Sequence, residues 1–188
     1  ISSKIFKKIV VSSDSLKVKK ILNKYKSVIF HHRSKKLSSD TATVNQVCIE
    51  IIKKFNDKKK PFEMICCLYP TSPLRDKDDI RKAFKYIKHK KLDFLIGVTN
   101  YLYPFHQALK KKGKYLHPFF KKDVNKKIIN DNIYVDSGSM YIGKIKKYLK
   151  YKTFYGPKLD GYFLNRKKSI DINYKEDFNL LKYYFFKK

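Results

Sequence analysis

Residues 62–69, FEMICCLY, make an apolar run of strand length that is followed at once by PTSPLR and then by the acidic stretch DKDD. A run of this kind suits a strand covered on both faces, as in the interior of a parallel sheet. The prolines stop it, and Asp76, Asp78 and Asp79 suit the positive end of the helix that follows, in which Ile80, Ala83, Phe84 and Ile87 recur at helical spacing. The unit predicted is strand, stiff turn, helix, with the strand at the centre of the sheet.

The same alternation runs along the chain. KIVVSS (8–13) reads as a strand, and DSLKVKKILNKY as a helix with Leu16, Ile21 and Leu22 on one face. SVIFHH is a second strand. Asp40 is a candidate cap for a helix from Thr41, whose buried face would hold Val44, Val47, Cys48, Ile51, Ile52 and Phe55. DFLIGVT is another central strand, DSGSMYIG a later one, KIKKYLKY a short helix, KSIDIN a last strand and YKEDFNLLKYYFF a closing helix. Between Tyr101 and about Tyr134 the period is lost. Strands alternating with helices at these lengths predict an α/β fold, one mainly parallel sheet covered on both sides, with ligands at the carboxyl ends of its strands. At 188 residues one domain is expected.

Charge comes next, because +29 invites a polyanion partner. Only Arg33, Arg75, Arg81 and Arg166 among the 45 basic residues are arginine, and the lysines run from Lys4 to Lys188 instead of forming one stripe. Arginine is the usual fork for phosphate and base edges. Lysine excess beside much Ile, Asn and Tyr fits A/T-rich coding better than a nucleic-acid surface. A basic nucleic-acid-binding module is therefore the second reading. Cys48, Cys66 and Cys67 form neither a CxxC pair nor an even framework and read as reduced structural thiols. No apolar run reaches the ~18 residues of a membrane span, so no membrane partner and a cytoplasmic location are expected.

The six glycines make neither GxGxxG nor GxxxxGK[ST], and no HxxxH or HExxH occurs. Asp171, at the end of the last apolar run, could hold a divalent ion at a strand-end crevice; on spacing alone a capping or turn role is equally open. PTSPLR likewise reads either as a strand-ending turn or as a rigid rim at the ligand face.

LYPTSPLRDKDDI resembles the signature of the acylneuraminate cytidylyltransferases, which activate nonulosonic acids as CMP-sugars. IVVSSD, RSKKLSSDTAT, DSGSMYI and SIDINYKEDF agree with that family in order and extend the resemblance over nearly the whole chain. Tyr69, YPFHQALK and DSG look closest to the pseudaminic acid branch. The resemblance implies the nucleotide-diphospho-sugar transferase type of three-layer sandwich. It also implies a reaction in which the sugar's anomeric hydroxyl attacks the α-phosphate of CTP, with Mg²⁺ as cofactor and pyrophosphate as product. By position it assigns Arg33, Ala42 and Thr43 to the nucleotide, and Tyr69, His106, Lys127, Asp136, Ser137 and Tyr141 to the sugar. Asp171 becomes the catalytic metal ligand with Asn173 beside it. A homodimer is implied, with 101–135 as its arm.

Two departures from the family pattern stand out. The family's D-x-D is Asp171, Ile172, Asn173 here, a lost charge that should weaken Mg²⁺ and that leaves a degenerate, non-catalytic relative as a third reading. The family's opening phosphate loop, PARxGSK, has no counterpart. The expectation is a domain lacking that N-terminal segment, inactive or nearly so on its own.

Overall fold

A computed structural model of the chain describes residues 1–57, 59–126 and 133–186. Its centre is a four-stranded sheet in the order β3 (Met64–Leu68), β7 (Tyr134–Lys144), β4 (Phe94–Asn100), β8 (Leu159–Phe163). β4 and β8 run parallel, while β7 runs antiparallel to both β3 and β4. Three of the four strands therefore share one direction and β7 opposes them. A parallel pair, β1 (Ile9–Ser13) and β2 (Val28–His32), forms a separate sheet, and the hairpin β5 (Leu109–Lys112) and β6 (Tyr115–Pro118) a third.

The alternation of side chains along β4 builds the core on two faces at once. Phe94, Ile96 and Val98 pack with Cys48 and Ile52 of α2 (Val44–Phe55), and with Ile145 and Tyr148 of α4 (Ile145–Tyr151). Leu95 packs on the other face with Ala83 and Ile87 of α3 (Lys77–His89) and with Met140 and Ile142 of β7. Helix, sheet and helix make the three layers. Burying side chains such as Phe94, Leu95 and Tyr148, all at 0% exposure, stabilises the domain by roughly 1.5–3 kcal/mol each.

Several expectations are corrected. FEMICCLY is not central: β3 is the end strand of its sheet and is half-buried at every position. α1 (Leu16–Leu22) exists, but Leu16 and Ile21 are exposed and the helix buries nothing. α2 starts at Val44 rather than Thr41, because Thr43 closes a capping box with Gln46 that satisfies two free backbone donors. Asp40 caps nothing there. KSIDIN is not a strand. The strand after α4 is β8, LDGYF, which has too few alternating apolar residues to stand out in the sequence. The closing helix α5 spans Lys175–Phe186.

Candidate active site

The turn after β3 owes its shape to one arginine. Arg75 folds back along PTSPLR and donates to the carbonyls of Tyr69 (2.8 Å) and Ser72, with a longer contact to the Ser139 hydroxyl at 3.4 Å. Its guanidinium fork is thus spent on loop carbonyls that the prolines leave without helical or strand partners. Asp76 then caps α3, accepting from the amides of Asp78 and Asp79, while the Asp79 carboxylate accepts from the Asp76 amide. Lys168 crosses from a distant loop to bind both carboxylates at 2.7 and 2.8 Å. The lysine bond, reinforced by the backbone amides, holds the Asp76 carboxyl well below the usual range, at about 2.

Tyr69 leaves this rim and enters a pocket of about 260 Å³ with Thr43, Val44, Asn45, Tyr141, Phe154 and Tyr155. The rings are tiered: Tyr69 to Tyr141 at 5.0 Å between centroids, Tyr141 to Phe154 at 5.5 Å. Asp136 closes one side. One of its oxygens accepts from the hydroxyls of Tyr141 (2.8 Å) and Tyr155, the other from the Gly138 amide at 2.9 Å. Burial, then donation to Asp136, pushes the Tyr141 and Tyr155 hydroxyls far above the ordinary tyrosine range; burial pushes Tyr69 up to about 12. All three stay protonated donors at neutral pH.

Asp171 reaches the same corner from behind. Gly138 has φ +63°, and a Cβ there would lie 2.8 Å from Asp171 Oδ2, so only glycine lets the carboxylate lie against the β7 backbone. The Ile172 amide bonds the Thr71 carbonyl at 2.9 Å, tying this loop to the rim. Among the described residues Asp171 Oδ1 is buried without a hydrogen-bond partner, and Oδ2 accepts from the Asn173 side-chain amide nitrogen at 3.1 Å. Among the described residues no three His, Cys, Asp or Glu side chains gather as a cation cage. One orphaned carboxylate oxygen beside an amide still fits Mg²⁺, which commonly takes one or two protein oxygens and completes its shell with phosphate and water.

The geometry distributes the sequence-derived candidates unevenly. Thr43, Tyr69 and Tyr141 share the pocket, Asp136 is bonded to it, and Ala42 adjoins Thr43. Arg33 lies in the wall of a larger cavity that also reaches Tyr69; its side chain binds Ser38 and pairs with Asp14 at 3.6 Å. Ser137 is buried, and its hydroxyl donates to the Gly97 carbonyl at 2.8 Å, which makes it a pin between β7 and β4. His106 is buried beside Phe105, with Nδ1 unpartnered among the described residues. Lys127 lies outside the described residues. Phe154 and Tyr155 were not anticipated. No local sequence pattern singles them out; in the structure the adjacent Gly156 lies so close that a Cβ there would stand 2.3 Å from the Phe94 ring.

A sheet flanked by helices, with an aromatic pocket and a half-buried carboxylate beyond the end of β3, is an α/β arrangement that suits a nucleotidyltransferase. The chain belongs to the cytidylyltransferase family, whose model matches residues 1–183. It is 27% identical over 184 residues to a pseudaminic acid cytidylyltransferase of Campylobacter jejuni, covering 97% of this chain and 79% of that one. It is 28% identical over 182 residues to the CMP-N,N'-diacetyllegionaminic acid synthase of Legionella pneumophila, covering 96% and 78%. The crystal structure of 4-diphosphocytidyl-2C-methyl-D-erythritol synthase from Anaerococcus prevotii shares the fold with a TM-score of 0.65 at 15% identity, over 97% of this chain and 80% of that one.

Proposed function

We propose that this cytidylyltransferase activates a nonulosonic acid, pseudaminic acid or a sialic-type relative, with CTP to give the CMP-sugar and pyrophosphate. The observation that carries the reading is the tiered pocket of Tyr69, Tyr141, Phe154 and Tyr155, with Asp136 held between two tyrosine hydroxyls. Aromatic faces suit the apolar side of a deoxy sugar, and hydroxyls kept protonated suit its oxygens.

In the reaction the sugar's anomeric oxygen forms a bond to the α-phosphorus of CTP. The bond from that phosphorus to the bridging oxygen breaks, pyrophosphate leaves with the electron pair, and the proton of the anomeric hydroxyl passes to solvent or a nearby base. Such chemistry depends chiefly on positioning and charge neutralisation. Thr43 and Ala42 at the amino end of α2, with Arg33 across the larger cavity, form the nucleotide side. Tyr69 stands between nucleotide and sugar, and Tyr141, Tyr155 and Asp136 orient the sugar, with His106, Lys127 and Ser137 assigned to that side by family position. Asp171, with the carbonyl of Asn173, would hold Mg²⁺, which supplies neutralisation of the triphosphate charge.

The exposed apolar surface of the β5–β6 hairpin, including Leu109, Tyr115, Leu116 and Phe119, supports the arm of a homodimer. A cytoplasmic enzyme is consistent with three free cysteines, and among the described residues no helix is long and apolar enough to cross a membrane. Incubating the complete gene product with CTP, Mg²⁺ and pseudaminic or N-acetylneuraminic acid should release pyrophosphate in step with CMP-sugar. Release with neither sugar would overturn the reading.

A further inference from the structure

Asn45 lines the aromatic pocket from the first turn of α2, and a buried tyrosine sets the direction of its side chain. Tyr148 of α4 has 0% exposure and stacks on Phe154 at 4.4 Å between centroids. Its hydroxyl donates to Asn45 Oδ1 at 2.8 Å, with the Asn45 backbone carbonyl further off at 3.3 Å. Burial holds that hydroxyl far above the ordinary tyrosine range, so it stays a donor. A side-chain amide carries its acceptor oxygen and its NH₂ group on opposite corners. With Oδ1 tied to Tyr148, Nδ2 is left on the other side, and it makes no hydrogen bond among the described residues.

The hydroxyls of the pocket offer the opposite chemistry. Tyr141 and Tyr155 give their protons to Asp136, and Thr43 gives its own to Gln46 Oε1 at 3.3 Å. To an occupant these hydroxyls present oxygen lone pairs, which accept from the N–H or O–H groups of a ligand. Among the described residues that line the pocket, Asn45 carries the only side-chain nitrogen and none is a cation. The pocket is therefore polarised, with acceptors and one anion on the Asp136 side and a neutral N–H donor on the α2 side. Val44 and the aromatic rings supply apolar surface.

We propose, resting on the reaction inferred above, that Asn45 is a specificity-determining residue whose Nδ2 donates to the carbonyl oxygen of an acylamino group on the sugar acid. Such a group needs a donor for its carbonyl, an acceptor for its N–H and an apolar face for its alkyl end. Asn45, the oxygens around Asp136 and the rings of Tyr69 and Phe154 supply all of these. A carboxylate fits worse, because Asp136 borders the pocket and no cation among the lining residues offsets the repulsion. A hydroxyl fits worse as well, since it brings neither the carbonyl nor the alkyl end. Tyr148 acts through Asn45 as a positioning residue: without its bond the amide is free to turn its oxygen toward the substrate.

The test uses the complete gene product with whichever of pseudaminic or N-acetylneuraminic acid it turns over, and with analogues in which each acylamino group in turn is replaced by hydroxyl. Pyrophosphate release gives kcat/KM for each. The wild type should prefer the acylated acid to one such analogue by about tenfold or more. Asn45→Leu should erase that preference, lowering kcat/KM for the acylated acid about tenfold while the analogue and KM for CTP stay within about twofold. Asn45→Asp keeps an acceptor for Tyr148 but removes the donor, and should lose at least as much. Tyr148→Phe should lose about threefold of the preference. A wild type without preference, equal loss on acid and analogue in Asn45→Leu, or full activity of Asn45→Asp overturns the proposal and leaves the reaction standing. No pyrophosphate release by the wild type with either acid overturns the reaction, and this role of Asn45 with it.

Discussion

Asp136 illustrates how a single carboxylate can be used up by its neighbours. With the hydroxyls of Tyr141 and Tyr155 and the Gly138 amide all donating to it, it orders the pocket more than it charges it. Hydrogen bonds to a charged group are worth about 1.5–3 kcal/mol. Tyr155→Phe should therefore raise KM for the sugar roughly tenfold while leaving KM for CTP within about twofold, as steady-state kinetics with each substrate varied in turn will show. Gly138→Ala combines a left-handed backbone with a Cβ 2.8 Å from Asp171 Oδ2. It should cost about 1–3 kcal/mol in denaturant unfolding and, under the proposed role of Asp171 toward Mg²⁺, raise the Mg²⁺ concentration needed for half-maximal activity.

At the scale of elements, the clamp of Lys168 on Asp76 and Asp79 fixes the start of α3 to the loop that carries Asp171. The folded Asp76 carboxyl sits at about 2, below an unfolded value of about 3.9. The clamp's stabilisation is therefore present above about pH 4 and is lost as pH falls through about 2. Melting temperatures measured across that window should fall for the wild type and fall less for Lys168→Met, which begins lower at pH 7. Elements with a strong local signature were legible in the sequence: the apolar run of β4, the acidic cap of α3 and the helical spacing of Ala83 and Ile87. β8 was not, because LDGYF takes its strand state from pairing with β4 and not from its own pattern. FEMICCLY was read as a strand correctly and misplaced laterally, since an apolar run reports covered faces and says nothing about edges. Thr43, Tyr69 and Tyr141, assigned through family likeness, line one pocket, whereas Tyr155 in that pocket was not anticipated because nothing local to TFYG brings it to Asp136.

For the whole molecule, 45 basic against 16 acidic residues means self-repulsion spread over the surface. Raising NaCl from 50 to 500 mM should raise the melting temperature, the reverse of what loss of isolated surface ion pairs alone would give. On the β5–β6 hairpin the exposed Leu116 offers a direct probe of assembly. Leu116→Asp should shift the proposed homodimer to monomer in sedimentation while leaving the unfolding free energy of each protomer within about 0.5 kcal/mol, as expected of a surface site.

The insertion of β7 between β3 and β4 also sets an order of events during synthesis. Its residues, 134–144, follow both partners and the whole hairpin excursion, so β3 and β4 emerge from the ribosome long before the strand that joins them. Until then two apolar strands wait with open edges, a long-range closure of the kind that slows folding and exposes chains to misassembly. A nascent chain halted before Tyr134 should engage chaperones, and one halted after Tyr151 should release them.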